Sequence, residues 1–200
     1  MTRRRAIART PGVSAIAVAV LAAAVLAPVL WVARSESPLH PPGVMATGAA
    51  VRAIPPRPDA AFALTVRHIY DGDTIQAEIQ HPNDIVTSSA PIRIRLIGID
   101  TPEGTPAPEC WADEARRHLA ELLPEGSTVW AAPDRDTWDH YGRRLLDLWT
   151  DDGRFVPYEL VAAGDAQAIR IRPNVAHDDL FTAAQAKAQA EARGRWGVCP

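Results

Sequence analysis

Two hundred residues, 47% of them apolar, suffice for one globular domain with appendages. The first 33 residues hold four arginines and no acid, which leaves 17 basic against 24 acidic residues, a net charge of −7, in the remainder. That balance excludes a broad nucleic-acid-coating surface, so any polyanion must be held locally. No internal repeat, glycine-rich phosphate loop or HExxH pattern occurs.

In chain order, the first segment opens on Arg3, Arg4, Arg5 and Arg9, and residues 13–33 then run without a charge. A spanning helix needs about 20 apolar residues, longer than the core of a cleaved signal peptide, and flanking arginines stay in the cytoplasm. The segment reads as a signal anchor, 1–33. A cleaved signal peptide is the alternative, because Pro28 interrupts the run and Gly48-Ala49-Ala50 could be cut. The arginines also suggest twin-arginine export, without the usual phenylalanine. Residues 34–60 are rich in proline, including Pro41-Pro42 and Pro55-Pro56, and show no hydrophobic period, which makes them a tether.

A domain is expected over 61–200. Alternating apolar residues from Phe62 to Tyr70, a turn at Asp71-Gly72 and renewed alternation through Ile75, Ala77 and Ile79 predict a pair of strands. A third strand is predicted with Ile92, Ile94 and Leu96 on one face and Arg93, Arg95, Ile97 and Ile99 on the other. Helical spacing of Trp111, Ala115, Leu119, Leu122 and Leu123 predicts a helix closed by Pro124-Glu125-Gly126. Strands follow at 128–132 and 144–150, then a short helix from Pro157 to Gly164. A short strand through Ile169 and Ile171 and a helix over 178–193 complete the α+β pattern, with a small barrel compatible.

Cys110 and Cys199 are the two cysteines. In an exported chain such a pair suggests a disulfide, whose closure a loop-entropy model values at about 4 to 5 kcal/mol; two unrelated thiols are the alternative. A metal site of these cysteines alone lacks ligand spacing.

Four charged blocks stand out: Asp71-Gly72-Asp73-Thr74, Arg95, Asp100-Thr101-Pro102-Glu103 and the stretch 139–144. Singly, each passes as a turn, a strand end or a solvated face. Together they place carboxylates and arginines at the ends of neighbouring strands, the inventory for phosphodiester hydrolysis. Hard cations such as Ca2+ take oxygen ligands, guanidinium groups fork onto phosphate oxygens, and a further carboxylate can orient or deprotonate water.

In the order HIYDGDTI, RLIGIDTPE, DHYGRRLLDLW and PNVAHDDLFTAAQAKAQAEARGRW, the blocks resemble the thermonuclease, or staphylococcal-nuclease-like, family over roughly residues 62 to 199. The resemblance implies a five-stranded OB-fold barrel with three helices. It implies Asp73, Asp100 and the Thr101 carbonyl as calcium ligands, with Asp71 behind them. Glu103 resembles the family's water-activating carboxylate, and Arg95 and Arg143 its phosphate-binding arginines. Cys110 and Cys199 suit its exported, disulfide-bearing branch. Ile169 and Ile171 stand where the best-known member has two nucleotide-flanking tyrosines, so weak nucleotide binding is expected. Arg170 and Arg172 are the neighbouring basic residues, and His140, in place of a lysine, reads as a polar surface residue.

The expected function is an exported, calcium-dependent endonuclease cleaving DNA and RNA with little sequence preference and leaving 3′-phosphate ends. It would be extracellular or anchored to the outer face of the cell membrane, and a monomer. The alternative is a nucleic-acid-binding OB-fold module without catalysis, although such relatives usually lack several of the charged positions that Asp73, Arg95, Asp100, Thr101, Glu103 and Arg143 fill here; a purely structural envelope protein would leave the set unexplained.

Overall fold

A computed structural model describes residues 53–200. The arginine leader, the apolar run and most of the tether lie outside the described residues. Among the described residues no helix is long and apolar enough to cross a membrane.

Strands β1 (Phe62–Ile69), β2 (Thr74–Glu78) and β3 (Ile92–Leu96) form an antiparallel meander. The short β4 (Ile99–Asp100) follows, then helix α1 (Ala112–Leu122). Next come β5 (Thr128–Ala132), β6 (Arg144–Thr150), helix α2 (Val156–Ala163) and β7 (Gln167–Ala168). Helix α3 (Asp178–Ala190) and a single turn, α4 (Arg195–Val198), end the chain. Five strands close a barrel in the order β1-β2-β3-β6-β5, as an OB-like α+β fold requires. One junction is parallel, β3 on β6, with Arg95 opposite Leu145.

Alternation explains the barrel: Leu64, Val66, Ile75, Ala77, Ile94, Leu96, Val129, Ala131, Leu146 and Leu148 point inward and are buried. Leu119 of α1, Leu123 just after it, and Leu160 and Val161 of α2 cover it. An aromatic series joins barrel to helices, with Trp149 and Phe155 stacked at 4.8 Å and Phe155 and Phe181 at 5.7 Å between centroids. The end of the expected tether already touches the barrel. Trp149 Nε1 donates to the Pro55 carbonyl at 3.2 Å, and the Arg57 guanidinium lies 4.1 Å from the Trp130 ring centroid.

Two expectations need correction. The third strand stops at Leu96, and the chain turns at Ile97-Gly98 before β4 pairs with β7 in a separate two-stranded sheet. Gly98 has φ +76°, and a Cβ there would stand 2.7 Å from the Phe181 ring, so only glycine turns here without displacing α3. Ile97 and Ile99 are consequently buried rather than on the face of Arg93 and Arg95. The late strand is Gln167–Ala168, short of Ile169 and Ile171. Ile171 instead bridges to Asn174 in a tight loop.

The C-terminal end is tied to α1. Cys110 and Cys199 form the disulfide, across 89 residues. Beside it Trp111 takes φ +76°, which for a bulky residue costs about 1–2 kcal/mol. Its Nε1 donates to Asp165 Oδ1 at 2.7 Å, and His118 Nδ1 lies 2.5 Å from Asp165 Oδ2. One carboxylate thus fastens the start and middle of α1 to the end of α2.

The hydrogen bond to Asp165, against burial, raises the His118 pKa above its ordinary value of 6.5. The folded state therefore binds this proton more tightly than the unfolded chain. Its contribution to stability is complete below about pH 6.5 and fades as pH climbs through the folded value. Urea midpoints of the protein and of His118→Gln, measured on both sides of that pH, should differ most in acid and converge in alkali. A gap that widens with pH would contradict the assignment.

Candidate active site

The turn from β1 to β2 sets the first carboxylates. Gly72 passes so close to its neighbours that a Cβ would lie 2.8 Å from both Ala115 Cβ and Thr101 Cγ2. That approach seats Asp73 against Thr101, where both are buried. Asp73 Oδ2 accepts from the Thr101 N–H at 2.9 Å and from Thr101 Oγ1 at 3.0 Å, while Oδ1 accepts from Thr74 Oγ1 at 3.0 Å. Asp71 Oδ1 accepts the Asp73 N–H at 3.0 Å and fixes the turn.

Arg95 reaches this cluster from β3. Its Nη2 lies 2.7 Å from Asp100 Oδ1 and 3.1 Å from Asp73 Oδ2, and its Nη1 donates to the carbonyls of Leu96 and Ile99 at 3.0 and 2.8 Å. Gln167 Nε2 donates to the other Asp100 oxygen at 3.2 Å. Burial, with Asp71 adding to it, pushes the Asp73 carboxyl up to about 7 despite Arg95. Burial, then Asp71 and Asp100, also raises Glu103 above its ordinary value. The backbone of Glu103 pairs with Glu109, while its carboxylate has no hydrogen-bond partner among the described residues.

Arg143 comes from the turn that enters β6. Asp139 Oδ1 accepts the N–H groups of Tyr141 and Arg143 at 2.9 and 2.8 Å, and its Oδ2 accepts from Arg143 Nε at 2.6 Å. Burial works to raise the Asp139 pKa, but the Arg143 N–H and guanidinium together hold it below the usual carboxylate range. With Nε anchored, the two Nη groups of Arg143 are presented as a fork. Arg95, Asp100 and Arg143 line one cleft of about 360 Å³, whose walls include Trp138, Ile169 and Ile171. Asp73, Thr101 and Glu103 adjoin it without lining it.

The arrangement suits a hard cation in chemistry rather than as a finished cage. Among the described residues no three Asp, Glu, His or Cys groups are gathered at ligand distance, and Arg95 joins Asp73 to Asp100 instead. Yet the donors are oxygens, and Asp71, Asp73, Asp100 and Glu103 crowd around the single Arg95. Burial raises the Asp73 carboxyl even with Arg95 beside it, as expected where carboxylates outnumber cations.

A sequence model described as "Staphylococcal nuclease homologue" matches residues 93–197, more than half of the chain. The chain belongs to the staphylococcal nuclease family. Thermonuclease of Staphylococcus intermedius is 30% identical over 138 residues, 66% of this chain and 74% of that protein. Protein ParB of Escherichia coli is 30% identical over 138 residues, 65% and 67% of the two chains. Endonuclease YhcR of Bacillus subtilis (strain 168) is 30% identical over 152 residues, 71% of this chain but only 12% of its own length. Family and relatives together support a nuclease acting on phosphodiester bonds. The match takes in Arg95, Asp100, Thr101, Glu103 and Arg143, while Asp71 and Asp73 precede it.

Three side chains that hold these residues in place, Asp139, Thr74 and Gln167, carry no role in the sequence reading. Asp139 stands four residues before Arg143 in a block already recognised, so the spacing could have revealed it. Thr74 lies within the Asp71–Thr74 block and offers the usual hydroxyl. Gln167 carries no sequence signal, since only the β4–β7 pairing brings it to Asp100. Gly72→Ala should lower stability by about 1–3 kcal/mol, because its Cβ would overlap two packed side chains. Thermal unfolding reads this directly, and an unchanged Tm would show that Thr101 and Ala115 yield without cost.

Proposed function

We propose that this nuclease is an exported, calcium-dependent endonuclease that hydrolyses DNA and RNA with little sequence preference. The observation that carries the reading is the single cleft lined by Arg95, Arg143 and Asp100, beside the carboxylates of Asp73 and Glu103. Contacts available to guanidinium groups in such a cleft are to phosphate oxygens, which every nucleotide shares, and this supports low sequence preference. Export rests on the arginine-led apolar segment 13–33, which would hold the domain at the outer face of the membrane if retained.

In this reading the Arg143 fork, aimed by Asp139, binds the non-bridging phosphate oxygens, and the Arg95 guanidinium, held by Asp73 and Asp100, adds its positive charge to the same cleft. They oppose the charge that grows as phosphorus becomes five-coordinate. The Glu103 carboxylate accepts a proton from the attacking water, and its raised pKa makes it a better base than an ordinary glutamate. The water oxygen bonds to phosphorus, the bond to the 5′ oxygen breaks, and that oxygen takes a proton from solvent while Glu103 returns its own to solvent, giving a 3′-phosphate and a 5′-hydroxyl. Asp73, Asp100 and the Thr101 carbonyl would hold Ca2+, which supplies charge neutralisation at the phosphate.

The decisive experiment incubates the full chain with plasmid DNA and with RNA, in calcium or in chelator. Cleavage of both in calcium and of neither in chelator is expected, and full activity in chelator would overturn the calcium assignment. Arg143→Ala should lower kcat by about 10²–10³, the cost of removing one preorganised donor. Arg143→Lys should not restore the rate, because the planar fork is lost. Near-full turnover by the lysine variant would remove Arg143 from the phosphate clamp.

A further inference from the structure

One wall of the cleft has no role in the hydrolysis described above. Trp138 is 51% exposed and lines the same cleft as Arg95 and Arg143. One face of its indole is occupied, because the Arg144 guanidinium carbon lies 3.6 Å from the ring centroid. Arg144 is itself buried, with Nη1 donating to Thr137 Oγ1 at 3.3 Å and Nε without a hydrogen-bond partner among the described residues. A backbone bridge between Trp138 and Arg144 closes the turn beneath the ring. The indole is thus held by a cation on its inner side, and its accessible half is the opposite face.

We propose that this face of Trp138 is the platform on which an unpaired nucleobase of the substrate strand stacks. The assignment rests on the nuclease reading and deepens it by naming the substrate state. A flat aromatic ring stacks any of the four bases, since each has a π face, so it adds affinity without sequence preference. The neighbouring wall, Ile169 and Ile171, is branched and aliphatic and cannot supply that contact. Trp138 directly precedes Asp139, the residue that aims Arg143, so one turn presents both the surface for a base and the fork for its phosphate. Bases in a duplex already have both faces covered by their neighbours. The platform therefore selects single strands or locally opened duplex. The ring most able to compete is Tyr141, which is 74% exposed and lines the same cleft.

The test compares the affinity of the full chain, in chelator so that nothing is cut, for a short oligothymidylate and for an abasic sugar-phosphate strand of equal length. The two probes carry the same charge and differ only in their bases. The protein should bind the base-bearing strand about tenfold more tightly. Trp138→Ala should abolish that difference while leaving affinity for the abasic strand in place, and Trp138→Phe should retain most of it. A role for Trp138 as a mere cover over Arg144 would weaken both probes alike and would overturn the proposal. It would also be overturned if Trp138→Ala kept the full difference, or if Tyr141→Ala alone removed it. Cleavage in calcium separates the two readings. Strands left uncut while the binding difference follows Trp138 refute the nuclease reading alone, and strands cut with no such difference refute the platform alone.

Discussion

Arg95 is the interaction on which the site depends. A largely buried cation projecting from a barrel strand must be paired and hydrogen-bonded, because an isolated buried charge is costly by several kcal/mol. Its guanidinium meets that requirement with four acceptors from different places: the carbonyls of Leu96 and Ile99 and the carboxylates of Asp73 and Asp100. The two carbonyls secure the turn by which the chain leaves the barrel wall, and the two carboxylates bring the β1–β2 turn to the β4 strand. Replacing Arg95 would leave Asp73 buried beside Asp71 with no positive neighbour, so its structural and chemical roles cannot be separated.

The charge around the cleft is arranged in two parts. Asp71, Asp73, Asp100 and Glu103 lie on the side of the β1–β2 turn and β4, whereas Arg143 and Arg172 line the cleft from the β6 turn and the loop before α3. Arg95 stands between them. With a net charge of −7 outside the first 33 residues, little long-range attraction reaches a polyanion, so any that binds must be held by local contacts. The aromatic and aliphatic walls matter more in such a protein than in one with a basic surface.

Much of this was legible in the sequence where a local rule and the tertiary structure agree. Alternation located β1 and β2, and helical spacing located α1, since each turns its apolar residues toward a common core. The break after Leu96 was not legible from hydrophobicity, because Ile97 and Ile99 continue an apolar run that serves two different sheets. Gly98 was the available signal. Ile169 and Ile171 alternate like a strand, but two residues earlier β7 finds its partner in β4, a non-local pairing that no local pattern announces. Within the site, residue types pointed to Asp73, Arg95, Asp100 and the block 139–144, and the family resemblance singled out Arg143 within that block. The links between them were not visible, because hydrogen bonds such as Arg95 to Asp73 depend on the barrel. The Trp111–Asp165–His118 network was missed for the same reason.

The parallel pairing of β3 with β6 has a consequence for how the protein comes into being. Arg95 and Arg143 are separated in the chain by β4, α1 and β5, and the register that sets Arg95 opposite Leu145 is what carries both to one cleft. Parallel strands demand a long crossover, whose loop entropy is spent before the contact is gained, so such pairings form late. A partly folded chain can possess the hairpin of β1 and β2, with its aspartates, and still lack the second guanidinium. The gathering of both guanidinium groups in one cleft is then a property of the closed barrel as a whole, absent from any state in which that seam is open.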